Sequence, residues 1–595
     1  MPRALIPLVL ILVTVLPVVA LPAQHANILV IVADDLGVDY VGVYGEGTNP
    51  PPTPHLDALA QGGVLFRNAW ANPSCSPTRA CIQTGRYPFR TLVGRWIGHT
   101  QSPQNVGLLQ AAERTLPERL DAAGSGYAHA LIGKWHLHDA FQPIDVPRSI
   151  GGYSHYAGSL EGQIPSYFQW TRVVDGVAAP STTYCTIQNT DDALAWIQAR
   201  STPWLCVLTY QAPHIPYHAP PAHLHTQNLT GLTPQPTTHT PANIPFYRAM
   251  VESLDSEIGR LFTTLGPAVM ASTNVIFLGD NGSVQRQSVA PFDGTRSKGT
   301  PYEGGVNVPL IVAGPAVQQP GREVAALACA VDVFATVLEL AGANGAIAPF
   351  EDVDGVSLVP YLTDPNQTPL RQYAFTEQFT GTAWPAPNGN GHATIRDARY
   401  KLIHRWTGAD ELFDLQADPW EQSNLIASAN PAVVAAKNAL LAEITRLRSG
   451  GGGASNLVVF GDSTCPGWNG PPLISATGNP ALGGVVDVHL TNGGRYFYGG
   501  SAFCLLGFSW TQFGAFTLPV GLQQFGGPTD CRIATSPEFA TWVATDFLGG
   551  ATFALAIPTS PAFVGVELFA AWLSLDPGAN ALGAVPTNSV MIRVE

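Results

Sequence analysis

The chain has 595 residues, 46% of them hydrophobic and only 12% charged. Its 60 glycines and 51 prolines make up about 19% of it, against an average of about 12%. This composition excludes a disordered chain and a coiled coil, and points to a loop-rich globular protein with room for two to four domains. With 29 basic against 43 acidic residues the net charge is -14; no cluster of Lys and Arg could track a phosphate backbone, so nucleic acid is excluded as a partner.

Taken in chain order, Met1, Pro2 and Arg3 precede an apolar stretch over 4–19 that is interrupted by Pro7 and Pro17 and followed by the small residues Ala20 and Ala23. Residues 1–23 therefore read as a secretory signal peptide cleaved near Ala20 or Ala23, which implies a secreted protein, periplasmic or extracellular. No later segment reaches 18 apolar residues, so no membrane span is expected in the mature chain. Export places Cys75, Cys81, Cys185, Cys206, Cys329, Cys465, Cys504 and Cys531 where disulfides persist. Their pairing is open, with one exclusion. A helix over 76–84 sets Cys75 and Cys81 roughly 9 Å apart along its axis, beyond disulfide reach.

Short β-branched apolar runs at 28–32, 130–133, 204–210 and 274–278 alternate with helical patterns. This predicts an α/β fold with a mostly parallel central sheet covered by helices. Each run leads into a polar cluster: Asp34 and Asp35, then Lys134 and His136, then His214, then Asp280 and Asn281. Ligands of open α/β sheets sit beyond the carboxyl ends of strands, so these clusters predict one convergent site. Thr53 and Pro54 open a helix that Gly62 and Gly63 close. A longer helix carries Met250, Leu254, Ile258, Leu261, Phe262 and Leu265 on one stripe. Both read as covers for the sheet without chemistry of their own. The Gly-rich stretch 449–455 reads as a linker. Residues 456–595 contain no Lys and only three Arg against eight Asp plus Glu. Their short β-type runs predict an all-β, sandwich-like accessory module.

Within 75–79, Pro77 sits in the first turn of a short helix, which places Cys75 at a helix N-terminus, a natural anion site, with Arg79 one turn on. The chain has 25 Arg but only four Lys, at 134, 298, 401 and 437. A Lys kept against that bias serves where a compact ammonium is needed. Lys134 and Lys298 stand beside Gly-rich or polar turns, whereas Lys401 and Lys437 read as solvated surface charges. Asp34, Asp35, Asp280 and Asn281 supply hard oxygen ligands from two strands, the set that a calcium or magnesium site needs. Trp96, Trp135, Tyr167 and Trp170 are candidates for stacking on a sugar or aryl ring.

Residues from about 25 to 447 resemble a sulfatase of the arylsulfatase type, within the alkaline-phosphatase-like superfamily. The resemblance rests on Ala33-Asp34-Asp35-Leu36-Gly37, on Thr53 to Asp57, on Cys75-Ser76-Pro77-Thr78-Arg79 and on Thr84-Gly85-Arg86. It continues through Gly133-Lys134-Trp135-His136-Leu137, Ala212-Pro213-His214, Gly279-Asp280-Asn281-Gly282, Gly304-Gly305 and Glu411-Leu412-Phe413-Asp414-Leu415, in matching order. His138 and Asn307 stand where the family commonly has Gly and Arg. The resemblance implies a catalytic domain over 24–448, with a smaller α+β subdomain from roughly 370 to 448, and an accessory module over 456–595. It also implies that a formylglycine-generating maturation enzyme converts Cys75 to formylglycine, whose hydrate attacks sulfur to give a covalent sulfo-enzyme. One calcium ion, with magnesium the second choice, is then held by Asp34, Asp35, Asp280, Asn281 and the modified residue 75. Arg79 holds the hydrate and metal cluster, Lys134 and Lys298 contact sulfate oxygens, His136 supports the hydrate, and His214 is the general acid. The implied substrate is a sulfate ester, most naturally on a sulfated carbohydrate. Two alternatives remain: a phosphate or phosphonate ester hydrolase with the same nucleophile, and a non-catalytic glycan-binding surface protein in which Cys75 stays a thiol.

Overall fold

The computed structural model describes residues 26–98, 107–343, 345, 353–379 and 391–448, and beyond 456 the strand segments alone. The signal peptide read in 1–23, the linker read in 449–455, Cys465 and Cys531 lie outside these residues. Ten strands form one sheet: β1 (Asn27–Ala33), β2 (Gly63–Trp70), β3 (Ala128–Gly133), β4 (His155–Gly158), β5 (Trp170–Val174), β6 (Val177–Ser181), β7 (Trp204–Thr209), β8 (Thr273–Gly279), β9 (Leu310–Ala313) and β10 (Arg322–Cys329). Their order is β10-β2-β9-β8-β1-β7-β3-β4-β5-β6. The central run β8-β1-β7-β3-β4 is parallel, and antiparallel partners enter at β9, β5 and β6.

Helices cover both faces, which is why β1 is a continuous apolar run rather than an alternating one. Its Leu29 and Ile31 enter one core with Met250, Leu254, Ile258 and Leu261 of the helix Ile244–Met270. Ile28, Val30 and Val32 enter the other core, with Val333, Phe334 and Val337 of the helix Asp332–Leu340. Pro54 starts the helix Pro54–Gln61, and Gly62 caps its end. The long helix is broken near its end by Gly266, at φ 78°, and Pro267.

A second sheet, β11 (Ala374–Gln378), β12 (His392–Arg396), β13 (Tyr400–Arg405) and β14 (Glu411–Asp414), is antiparallel in sequential order. The helix Pro431–Arg448 packs on it through Leu440 and Ile444. Beyond residue 456 the described strands form two main antiparallel sheets, as expected of an all-β module. The six cysteines among the described residues, Cys75, Cys81, Cys185, Cys206, Cys329 and Cys504, are buried free thiols. No helix of the described residues is long and apolar enough to cross a membrane.

Lys401 corrects the reading of a solvated surface charge, because it is fully buried. Its Nζ lies 2.9 Å from Glu303 and 2.8 Å from Glu421, and 4.8 Å from the centroid of the Trp70 ring. Tertiary pairing of β13 with a distant helix start at Glu303 and a turn at Glu421 decides this, and no local pattern announces it. Lys401→Met would leave two facing buried carboxylates without their shared cation. The expected cost is about 3–5 kcal/mol, read as a lowered urea midpoint for the unfolding of the two sheets that Glu303 and Lys401 join.

Candidate active site

The four polar turns converge because their strands are adjacent, parallel and level at their ends. Ala33 pairs with Gly279, Val32 with Thr209, and Gly133 with Thr209. Gly133 has φ 101°, and a Cβ there would lie 1.9 Å from the Thr209 carbonyl oxygen. Only glycine lets the chain leave β3 this close to β7. Asp35 and His136 follow in left-handed conformations, at φ 71° and 53°, which non-glycine residues adopt only where the surroundings impose it.

Cys75 is the first residue of the helix Cys75–Thr84, one residue earlier than the sequence suggested, with Ser74 before it and Gly85 at φ 69° after it. Its Sγ lies 3.2 Å from His136 Nδ1. On the far side of that ring, Nε2 lies 2.9 Å from the Ile97 carbonyl oxygen. A carbonyl can only accept, so Nε2 carries the proton and bare Nδ1 faces residue 75. Burial, then the Lys134 cation, holds His136 well below the usual imidazole range, which keeps it neutral.

Arg79 joins the two halves of the site. Its Nη2 donates to Asp280 Oδ2 at 2.8 Å and lies 3.8 Å from Asp34 Oδ2, while Nη1 donates to the Lys134 carbonyl at 2.8 Å. Lys134 Nζ donates to Asp34 Oδ2. Lys298 Nζ is 2.5 Å from Asp35 Oδ1, which also accepts from Asn281 Nδ2 at 2.8 Å. His214 Nδ1 donates to the Ile215 carbonyl at 2.8 Å, and its Nε2 lies 3.8 Å from Asp35 Oδ2. The structure thus brings Asp34, Asp35, Cys75, Arg79, Lys134, His136, His214, Asp280, Asn281 and Lys298 into one cluster.

Three oxygens in this cluster, Asp34 Oδ1, Asp35 Oδ2 and Asn281 Oδ1, are buried without a hydrogen-bond partner. Such orphans are costly in a protein interior unless something else satisfies them. Ligand atoms of Asp34, Cys75 and Asp280, and likewise of Asp34, Asp35 and His214, lie within 4.8 Å of one another. Burial, followed by repulsion from Asp280, pushes the Asp34 carboxyl up to about 7. A cation among these groups would reverse that penalty. An all-oxygen set of carboxylates and an amide carbonyl fits a hard divalent ion.

Several contacts were not legible beforehand. Tyr247, on the helix read as having no chemistry of its own, donates through its hydroxyl to the Asp35 carbonyl. The Tyr167 hydroxyl lies 2.8 and 2.7 Å from the carbonyl oxygens of Gln211 and His214, which share its single proton, and so holds the turn after β7. The Ile97 carbonyl fixes the His136 tautomer, a role for which side-chain type carries no signal. Trp135, Tyr167 and Trp170 are all buried and serve packing instead of the stacking considered for them, whereas Trp96 is 53% exposed.

A family model for the sulfatase domain matches residues 26–343, and one for the C-terminal region of N-sulphoglucosamine sulphohydrolase matches 294–449. The chain is 31% identical to arylsulfatase A of Homo sapiens over 462 residues, covering 70% of this chain and 86% of that one. It is 31% identical to N-acetylgalactosamine-6-sulfatase of Sus scrofa over 370 residues, covering 57% of this chain and 66% of that one. Among solved structures, Ps i-CgsB in complex with k-i-k-neocarrahexaose superposes with a TM-score of 0.60 at 24% identity, over 71% of this chain and 93% of that one. The phosphonate monoester hydrolase of Agrobacterium radiobacter gives 0.51 at 22%, over 71% and 95%.

Proposed function

The chain belongs to the sulfatase family, and on that premise we propose that it is a secreted, calcium-dependent sulfatase acting on sulfate esters of glycans. One observation carries the reading. Three unpartnered buried oxygens, from Asp34, Asp35 and Asn281, converge with Cys75 at a helix N-terminus and with the cations of Arg79, Lys134 and Lys298.

Three carboxylates face three side-chain cations in this cluster, so a bound dication leaves a positive site matched to an anionic ester. Asp34, Asp35, Asp280 and Asn281 would hold the ion, which supplies Lewis-acid polarisation of the sulfate oxygens. Residue 75, converted from cysteine to formylglycine by a maturation enzyme, supplies a hydroxyl nucleophile in its hydrated form.

The remaining residues divide the work. Arg79, anchored on Asp280 and the Lys134 carbonyl, fixes the helix that presents residue 75 against the acidic turns. Lys134 and Lys298 each spend one N–H on an aspartate and keep donors for oxyanions whose charge grows in the transition state. His136, with Nδ1 bare toward residue 75, takes and returns a proton there. His214, with Nδ1 committed to the Ile215 carbonyl, presents Nε2 beside Asp35 and protonates the departing alcohol.

The test is turnover of matched sulfate and phosphate esters by the purified chain, with and without a chelator. Sulfate hydrolysis should dominate, fall at least about 100-fold on chelation and return with calcium. Calcium at 100 times its Kd should also add about 2.7 kcal/mol of stability by mass action, seen as a raised Tm. Faster turnover of the phosphate ester would move the reading to a phosphate or phosphonate hydrolase. No turnover of either ester would leave the glycan-binding protein.

A further inference from the structure

We infer that a second binding site, for a neighbouring sugar unit of an anionic glycan, lies in the cleft formed by Arg95, Trp96, Gln378, His392, Arg405 and Thr407. This rests on the sulfatase reading and extends it, since it makes the substrate an oligosaccharide reaching beyond its sulfated unit.

The cleft adjoins the catalytic helix through the backbone of residues 94–97. The Ile97 carbonyl holds His136, and the Ile97 amide donates to Ser76 Oγ at 3.1 Å, next to residue 75. Immediately before Arg95 and Trp96 reach the cleft wall, the chain is tied to the second sheet, because Phe379 N donates to the Gly94 carbonyl at 2.9 Å. On that sheet Gln378 pairs with His392, and His392 with Arg405. Directly opposed residues share one face, so three polar side chains form a row across β11, β12 and β13. The cleft measures about 410 Å³, within the range of roughly 300–1,000 Å³ usual for ligand sites.

Three independent features give it a ligand chemistry. His392 is 6% exposed, its Nδ1 lies 3.2 Å from Thr394 Oγ1, and its Nε2 is buried without a partner. Burial, then the Arg405 and Lys401 cations, holds it down to about 3. It is therefore a neutral imidazole that can exchange a hydrogen bond with a hydroxyl, and leaving that atom unmet is costly. Trp96 presents an exposed ring of the kind that covers the apolar face of a pyranose. Arg95 lies 5.9 Å from the centroid of that ring and, among the described residues, has no acidic partner. It offers an unused fork to a sulfate or carboxylate. Arg405 is pinned by Glu411 at 2.5 Å and borders the same space.

The experiment compares 4-nitrophenyl sulfate, too small to reach the cleft, with sulfated galactan, fucan and glycosaminoglycan hexasaccharides. Trp96→Ala and Arg95→Ala should each lower kcat/KM on at least one hexasaccharide tenfold more than on the aryl sulfate, mainly through KM. Trp96→Phe should recover most of the loss, and His392→Gln should behave as Trp96→Ala does. Parallel losses on both kinds of substrate, or no differential loss across the panel, would overturn the subsite. If the wild-type chain hydrolyses no sulfate ester, the sulfatase reading fails separately. The Kd of each hexasaccharide by titration calorimetry then decides the subsite: tenfold weaker binding by Trp96→Ala sustains it, and an unchanged Kd overturns it.

Discussion

Cys75→Ala is expected to reduce sulfate-ester turnover by three orders of magnitude or more, the loss typical of removing a nucleophile, while the fold survives. The side chain is small and its polar contact is with His136, so the void left by the substitution is about one sulfur in size and calls for only modest repacking. An unmodified thiol at this position could not take over the role. Burial raises the Cys75 thiol above its ordinary range, outweighing the opposing pull of Lys134 and Lys298, and the protonated form is the poor nucleophile. The companion measurement is peptide mass spectrometry on the segment spanning residue 75, where conversion of CH₂SH to CHO appears as a loss of about 18 Da. Activity near the wild-type level in Cys75→Ala, or full activity of a chain whose residue 75 is wholly thiol, would sink the proposed nucleophile.

His214→Ala should cost 10²- to 10⁴-fold on esters with poor leaving alcohols, the usual contribution of a general acid, and less than about tenfold on activated aryl sulfates. The geometry gives the reason. Nδ1 is committed to the Ile215 carbonyl, so Nε2 is the atom left to carry a transferable proton. Burial holds His214 well below the usual imidazole range in the protein alone, against the pull of Asp35. Relative to the ion-loaded site without substrate, a bound anionic ester adds negative charge beside it and raises its pKa. The acid form is the one that falls away with rising pH, so turnover of poor leaving groups should decline above the His214 pKa of the complex. The variant should lack that decline. A plot of log kcat/KM against leaving-group pKa is the measurement, and equal slopes for wild type and His214→Ala would remove the residue from the acid role.

The strands that bear the site were legible because each is a buried parallel run, apolar on both faces, and such runs are short, β-branched and bounded by turns. Asp34, Asp35, Asp280 and Asn281 stood out for the same reason, as hard ligands placed where a strand ends. Arg79 and Cys75 were legible through Pro77 and the helix it opens. The bias of 25 Arg to four Lys drew attention to Lys134 and Lys298 but misjudged Lys401, which lies fully buried between Glu303 and Glu421. Its partners are separated from it in sequence, and a single lysine carries no sign of them.

The sequence by itself therefore determined the element types, the sheet class and which residues are candidates for the chemistry, since these depend on local periodicity and on what each side chain can do. Only the tertiary structure decided which of them meet. The order β8-β1-β7-β3 levels four strand ends and collects their turns, the Ile97 carbonyl sets the His136 tautomer, and Tyr247 steadies the turn at Asp35. It also sent Trp135, Tyr167 and Trp170 into the core and left Trp96 at the cleft. These outcomes depend on strand order and on backbone groups that every residue carries, and neither leaves a trace in local composition.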